Sequence, residues 1–392
     1  MATEGAPSVD LSGPFPRFGA DEYARRWARL DAILEDAGAD VAVVSGHVAG
    51  RQELQHLSNA PVRWESFLVI GRGVEPRLFV QLFNHVPTMT AWSAVPVSPA
   101  GPDPAATVSA HLRTHGLATA TIATLGPWSE RSSLSFRAAL ADATFVSISA
   151  AFARGRLIKS AEELAWAAHA ARLCDDAIAA FCTAARPGMR EDELRHLLES
   201  GYADQGGQTE ICFLAIVPRA GGGSVVPSQV PSARRVEAGD SVVFELSAGI
   251  GGYTSQVLRT VAIGADPAPE AATLHALADS VYDAIVAAIR PGVMPAEIEA
   301  IGAIIDDAGM TIVDDLVHGY VGGYLPPVVR TPATRHTPPP DMPLQPGMCL
   351  VVQPNVVSAD GRFGVQTGGL IVVTEDGVRE MHAARRGLLR AG

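Results

Sequence analysis

Between Glu22 and Ala37 apolar residues recur every three or four positions, the period of a helix with one buried face, and Gly38 supplies its stop. Three compact apolar runs follow: Asp40-Val-Ala-Val-Val-Ser45, Ser66-Phe-Leu-Val-Ile70 and Arg77-Leu-Phe-Val80. They are predicted as buried strands. Thr107 to His115 is predicted as a helix and Thr119-Ala-Thr-Ile-Ala123 as another strand. This alternation predicts a small α/β domain over residues 1–153, with the Pro/Gly-rich residues 1–18 as an arm on the surface or on a partner subunit.

The texture changes at Lys159-Ser-Ala-Glu-Glu163. Ser160 and Glu163 have capping-box spacing ahead of an Ala-rich run, so a long helix starts here, continuing to about Ala185 and stopping at Arg186-Pro187-Gly188. A faint repeat then emerges. Asp176-Ala-Ile-Ala-Ala, Arg186-Pro187-Gly188, Glu193-Leu194 and Gly206 are echoed by Asp283-Ala-Ile-Val-Ala-Ala, Arg290-Pro291-Gly292, Glu297-Ile298 and Gly309. Each copy reads as helix, Pro-Gly turn, second helix, glycine stop and strand. The two copies predict a pseudo-symmetric second domain over residues 154–392, with a central sheet and outer helices. The fold class is therefore α+β.

Composition narrows the function classes. A net charge of −12 with no basic stripe leaves out the electrostatic footprint of a nucleic-acid binder. No apolar run is long enough to span a bilayer, the first residues lack a signal-peptide pattern, and four cysteines without CxxC spacing form no disulfide framework. The expected location is the cytoplasm. Among 30 basic residues only Lys159 is a lysine, which argues against Schiff-base or pyridoxal chemistry, and no cofactor is expected.

Five motifs in order, spanning about residues 20–385, carry a resemblance. They are Lys159 to Glu163, Glu237-Ala-Gly-Asp240 to Glu245 continuing through Gly252-Tyr253 to Thr260, His318-Gly319, Leu344 to Gln353-Pro354, and Gly364-Val365 to Gly377. Together they resemble the creatinase, prolidase and aminopeptidase P family. The resemblance implies a creatinase-like N-terminal domain followed by a pita-bread domain, a homodimer, and a small-molecule substrate. Its metal-dependent members hold two ions through two aspartates, a histidine and two glutamates. At those positions this chain has Glu245, Gln256, His318, Gln353, and Gly368 or Gly369. Two hard dications need bridging carboxylates as donors and as compensating charge, so the expectation is a metal-free site. The chain also departs from creatinase, with Ser228 at the substrate-facing histidine position, and Leu258 and Gln353 where glutamates hold the guanidinium.

The resemblance places Glu245, Tyr253, Gln256, His318, Gln353 and Gln366 around one cavity. Glu245 and His318 are the candidate acid–base pair, because a carboxylate beside an imidazole suits proton transfer. Arg330 is the preferred candidate for a substrate carboxylate and Arg335 the second, since a guanidinium grips a carboxylate with two hydrogen bonds. Ser228 completes the substrate-binding candidates. The glycine stretches at 220–224 and 319–323 read as pocket-lining turns. These residues lead to the expectation of a metal-independent enzyme acting on a small carboxylate- or amide-bearing substrate, with C–N hydrolysis the family-typical reaction. A non-hydrolytic lyase, isomerase or cyclase of specialised metabolism, and a non-catalytic binding protein, remain open alternatives.

Overall fold

The computed structural model describes Val9, Leu11, Gly13 and residues 15–392, so most of the arm predicted over residues 1–18 lies outside the described residues. Two compact units divide the chain, Asp10–Arg156 and Leu157–Gly392.

In the first unit Val41–Gly46 lies at the centre of a six-stranded sheet, antiparallel to Ser66–Gly71 and parallel to Thr121–Leu125. Val74–Val80 and Val97–Pro99 extend one edge, and Thr144–Ser147 the other. The apolar runs are continuous because both faces are covered. Ala42, Val44, Leu68 and Ile70 pack with Leu30 and Leu34 on one side. Val41, Val43, Phe67 and Val69 pack with Val108, Leu112 and Phe136 on the other. The helix predicted from Glu22 spans Ala20–Asp36, and Gly38 follows at φ +62°. Helices Gln52–Ser58, Val86–Trp92 and Ser149–Gly155 are each seven residues long, too short for a helical period to declare itself in sequence.

The second unit has the pita-bread fold. Ser160 accepts from Glu163 N at 3.1 Å while Glu163 Oε2 accepts from Ser160 N at 2.9 Å, and this capping box opens the helix Ala161–Ala184. The repeat is physical. Helix Ala161–Ala184 is followed by Glu191–Ala203, and helix Pro269–Ala288 by Pro295–Asp307. The turns between them use Gly188 at φ +92° and Gly292 at φ +89°, a backbone conformation that suits glycine. In each second helix a glutamate caps the N-terminus, Glu193 accepting from Arg190 N at 2.7 Å and Glu297 from Met294 N at 2.8 Å.

These helices back a sheet in the order Leu325–Val329, Val317–Gly319, Cys349–Val352, Gly368–Val373, Tyr253–Ile263, Ser241–Ile250, Gln208–Val217. At its heart Ser241–Ile250 and Tyr253–Ile263 form a hairpin paired from Ser241↔Ala262 to Ile250↔Tyr253, turned by Gly251 and Gly252, both at positive φ. Strand alternation gives the hairpin two characters. Phe244 packs against Phe181 of the long helix, the two rings tilted, while Glu245, on the opposite face, is carried toward the concave side with Gln256. No helix among the described residues is long and apolar enough to cross a membrane.

Candidate active site

Glu245 and Gln256 project from neighbouring strands of the hairpin, and the Gln256 amide nitrogen donates to Glu245 Oε1. His318, 2% exposed, sits on the short strand Val317–Gly319. Its Nδ1 lies 3.1 Å from the Gly319 carbonyl oxygen, an obligate acceptor, so Nδ1 carries the proton and Nε2 keeps its lone pair. The ring stacks on Tyr324, with centroids 4.5 Å apart, and meets Tyr320 edge-on. Just upstream, Asp315 accepts from Tyr324 Oη at 2.7 Å and from Gln353 Nε2 at 3.0 Å. Asp314 completes the group.

The electrostatics follow from burial and crowding. Glu245 is pushed up to about 8 by burial first, then by the charges of Asp314 and Asp315. Asp314 is pushed up to about 7 by burial and by its bond and charge repulsion with Asp315, against a smaller opposing pull from Asp315 N and His318. Burial lowers His318, outweighing the Gly319 carbonyl, Asp314 and Gln353, which raise it. At neutral pH the site therefore holds a protonated carboxylic acid on the hairpin and a neutral imidazole on the strand Val317–Gly319.

Asp314, Asp315 and Tyr324 were not among the sequence candidates. Their one signal is two consecutive acids four and three residues ahead of the motif histidine, in Val313-Asp-Asp-Leu-Val-His318.

Several sequence candidates are engaged elsewhere. The Tyr253 hydroxyl donates to Glu163 Oε1 at 2.7 Å and its ring packs on Trp166, so it braces the capping box on the helix side of the sheet. Tyr253→Phe is expected to cost about 1 kcal/mol in chemical denaturation and to leave activity unchanged. Arg335 pairs with Glu299 at 3.1 Å. The Ser228 hydroxyl donates to the Val230 carbonyl within a turn. Gln366 is buried, its main chain bonded on both sides to the Thr260 hydroxyl. Arg330 stays close to the site, with Nη1 3.3 Å from the Asp314 carbonyl oxygen. Of the glycine stretches, 319–323 is next to His318, whereas Gly221 faces Phe363 and Gly223 is exposed.

Residues 166–375 match the profile described as metallopeptidase family M24. The chain belongs to that family. It is 29% identical over 245 residues to the uncharacterized peptidase YqhT of Bacillus subtilis, covering 62% of this chain and 67% of that protein. It is 26% identical over 235 residues to the Xaa-Pro dipeptidase of Pyrococcus furiosus, covering 60% and 65%. These sequence matches thus span about two thirds of the relatives' lengths. The solved prolidase of Thermococcus sibiricus superposes with a TM-score of 0.81 at 18% identity, covering 95% of this chain and all of that one.

M24 membership corrects one expectation. A metal-independent or non-catalytic role is overturned, because the family is one of metallopeptidases and the named relatives are Xaa-Pro dipeptidases and prolidases. A peptide hydrolase is the reading they support. The side chains at the five donor positions implied by the resemblance nonetheless do not fit a pair of divalent ions. Ions about 3.5–4 Å apart are clamped by bridging carboxylates. Here Gln256 and Gln353 are neutral amides bonded to the carboxyl groups of Glu245 and Asp315. A Cβ at Gly368 would stand 2.1 Å from the Val352 carbonyl oxygen, and one at Gly369 would meet the His382 ring on the opposite face. Among the described residues no three His, Cys, Asp or Glu side chains stand grouped as metal ligands. Gly368, at φ +143°, leaves so little room that Gly368→Ala is expected to destabilise the chain by about 3 kcal/mol or more, read by thermal and urea unfolding.

Proposed function

We propose that this M24 chain is a peptide hydrolase for small Xaa-Pro dipeptides, working at Glu245, Asp314, Asp315 and His318. The observation that carries the reading is the family match to metallopeptidases over the residues that contain this cluster. Hydrolysis adds water to the carbonyl carbon, breaks the C–N bond and delivers a proton to the departing nitrogen. Glu245, protonated at neutral pH, is assigned that delivery: its Oε1 accepts from Gln256, which leaves Oε2 to carry the proton. His318 Nε2 is assigned the proton of the attacking water. Asp315 fixes Tyr324 and Gln353 and acts as a positioning residue. Arg330 is assigned the substrate carboxylate.

The test is release of free proline from a panel of Xaa-Pro dipeptides, with and without added Mn²⁺. Release is expected, and His318→Ala with unchanged circular dichroism is expected to lower kcat at least about 100-fold. No proline from any dipeptide under either condition overturns the reading. The same proposal takes the chain as a cytoplasmic homodimer. All four cysteines are free thiols, as a reducing compartment keeps them. Sedimentation equilibrium at twice the chain mass is expected, and a monomer contradicts it.

A further inference from the structure

One cavity lies wholly in the first unit and shares no residue with the candidate active site. It measures about 690 Å³, within the size range of small-molecule pockets. Its wall combines the turn between strands Ser66–Gly71 and Val74–Val80 with the carbonyl end of the helix Pro104–Thr114. Arg72, Arg77, His111 and His115 all line it. The two histidines are one helical turn apart, with ring centroids separated by 4.1 Å. Phe79 meets the His111 ring at 5.0 Å and braces it. His115 Nδ1 lies 2.8 Å from the His111 carbonyl oxygen, an obligate acceptor, so Nδ1 carries the proton and Nε2 is left for another partner. Arg77 Nη1 donates to Ser98 Oγ at 3.1 Å, and Glu75 Oε2 stands 3.8 Å from Nη2, beyond hydrogen-bond reach. The acids of the wall are occupied or turned outward. Asp40 Oδ2 accepts from Thr121 N at 2.8 Å, and the Glu75 side chain is 75% exposed. Arg72, near the surface, pairs with Glu35 at 3.4 Å. Burial first, then the charges of His115 and Arg77, hold His111 below the ordinary imidazole range. Crowded cationic donors in a concave wall call for an anion.

We propose that this cavity binds a phosphoryl group, as free phosphate or as a small phosphate monoester, gripped by Arg77, His111 and His115, with Arg72 adding charge at the rim. A guanidinium fork meets two phosphate oxygens at once. A phosphate monoester has a third strong acceptor oxygen and a second ionisation near about 6, close to that of imidazole. It therefore lets both rings hold protons and accepts a hydrogen bond from each. The carbonyl end of the helix favours the same imidazolium forms. A planar carboxylate, with two oxygens and one charge, is satisfied by the fork alone and leaves the histidines unmatched. A divalent metal on the paired histidines would have to bear the charge of Arg77 beside it. The cavity exceeds a bare phosphate in size, and Val74, Leu117 and Ala120 give an organic group apolar wall to rest on.

Isothermal titration of the full chain at fixed ionic strength with inorganic phosphate, phenyl phosphate and benzoate tests this directly. Saturable binding of a phosphate with a dissociation constant of about 1 mM or tighter is expected. Phenyl phosphate bound more tightly than inorganic phosphate assigns the site to monoesters; equal or weaker binding assigns it to free phosphate. Arg77→Gln and His115→Asn are each expected to weaken binding at least about tenfold, with melting curves showing folded chains. Arg113→Gln, on the same helix but outside the cavity wall, is expected to leave binding unchanged. Failure of both phosphates to saturate overturns the proposal, as does full binding in both cavity variants or an equal loss in Arg113→Gln. Benzoate bound as tightly as phenyl phosphate overturns it too. The peptide-hydrolase reading stands or falls separately, on proline release.

Discussion

Glu245→Gln is expected to lower kcat for dipeptide hydrolysis by about 10²- to 10⁴-fold while making the fold more stable at alkaline pH. The two effects have one cause. The folded chain holds the Glu245 proton up to about pH 8, whereas the ordinary carboxyl releases it near 4.5. Between those values the native state binds the proton and the unfolded state does not, so stability falls as pH rises from 4.5 toward 8. Below 4.5 both states are protonated and the group contributes nothing. Glutamine has no proton to lose and escapes the penalty. One pH unit corresponds to about 1.4 kcal/mol, and after discounting for charge shared with Asp314 and Asp315 the gain above pH 8 is on the order of 2–4 kcal/mol. Urea unfolding of both proteins at pH values either side of this window measures it. A variant that loses activity with no alkaline gain would place Glu245 in the site as an ordinary carboxylate.

Arg259→Met is expected to be among the most destabilising single changes in the chain, by about 3–5 kcal/mol. Arg259 is 1% exposed. Its guanidinium donates to the carbonyl oxygens of Leu258, Gly368, Ala384 and Arg385, tying the hairpin to the strand at Gly368 and to the C-terminal segment. Removing it leaves buried carbonyls without donors. Lysine is not expected to rescue the variant, because a point ammonium cannot reproduce the planar fork that reaches carbonyls on different segments. The same C-terminal segment is held by His382, whose Nδ1 lies 3.0 Å from Asp175 Oδ1, and Nε2 2.9 Å from Ser255 Oγ. Urea midpoints for the methionine and lysine variants separate lost donors from lost bulk.

Much of the architecture is legible in sequence because it is written in local chemistry. The capping box at Ser160, the paired Pro-Gly turns and the capping glutamates Glu193 and Glu297 each act over a few residues. The site is only partly legible. Gln256 and Tyr253 belong to one motif, yet they lie an odd number of positions apart on one strand, so they face opposite sides of the sheet. That period separates a residue bonded to Glu245 from one bonded to Glu163. Asp314 and Asp315 gain their significance from Glu245, which is some seventy residues away in the chain and reaches them only through the sheet. Arg335, in a Pro-rich loop, is claimed by Glu299 on a helix, a partner that no spacing rule discloses.

The central claim is that a protonated carboxylic acid stands in this site at neutral pH, raised by burial and by two neighbouring aspartates. Carboxyl-carbon NMR titration of Glu245, assigned through the Glu245→Gln spectrum, measures it most directly. A midpoint near 8 that falls toward the ordinary range when Asp314 is replaced by Asn is the expected result. A midpoint close to 4.5 in the unaltered chain would contradict it.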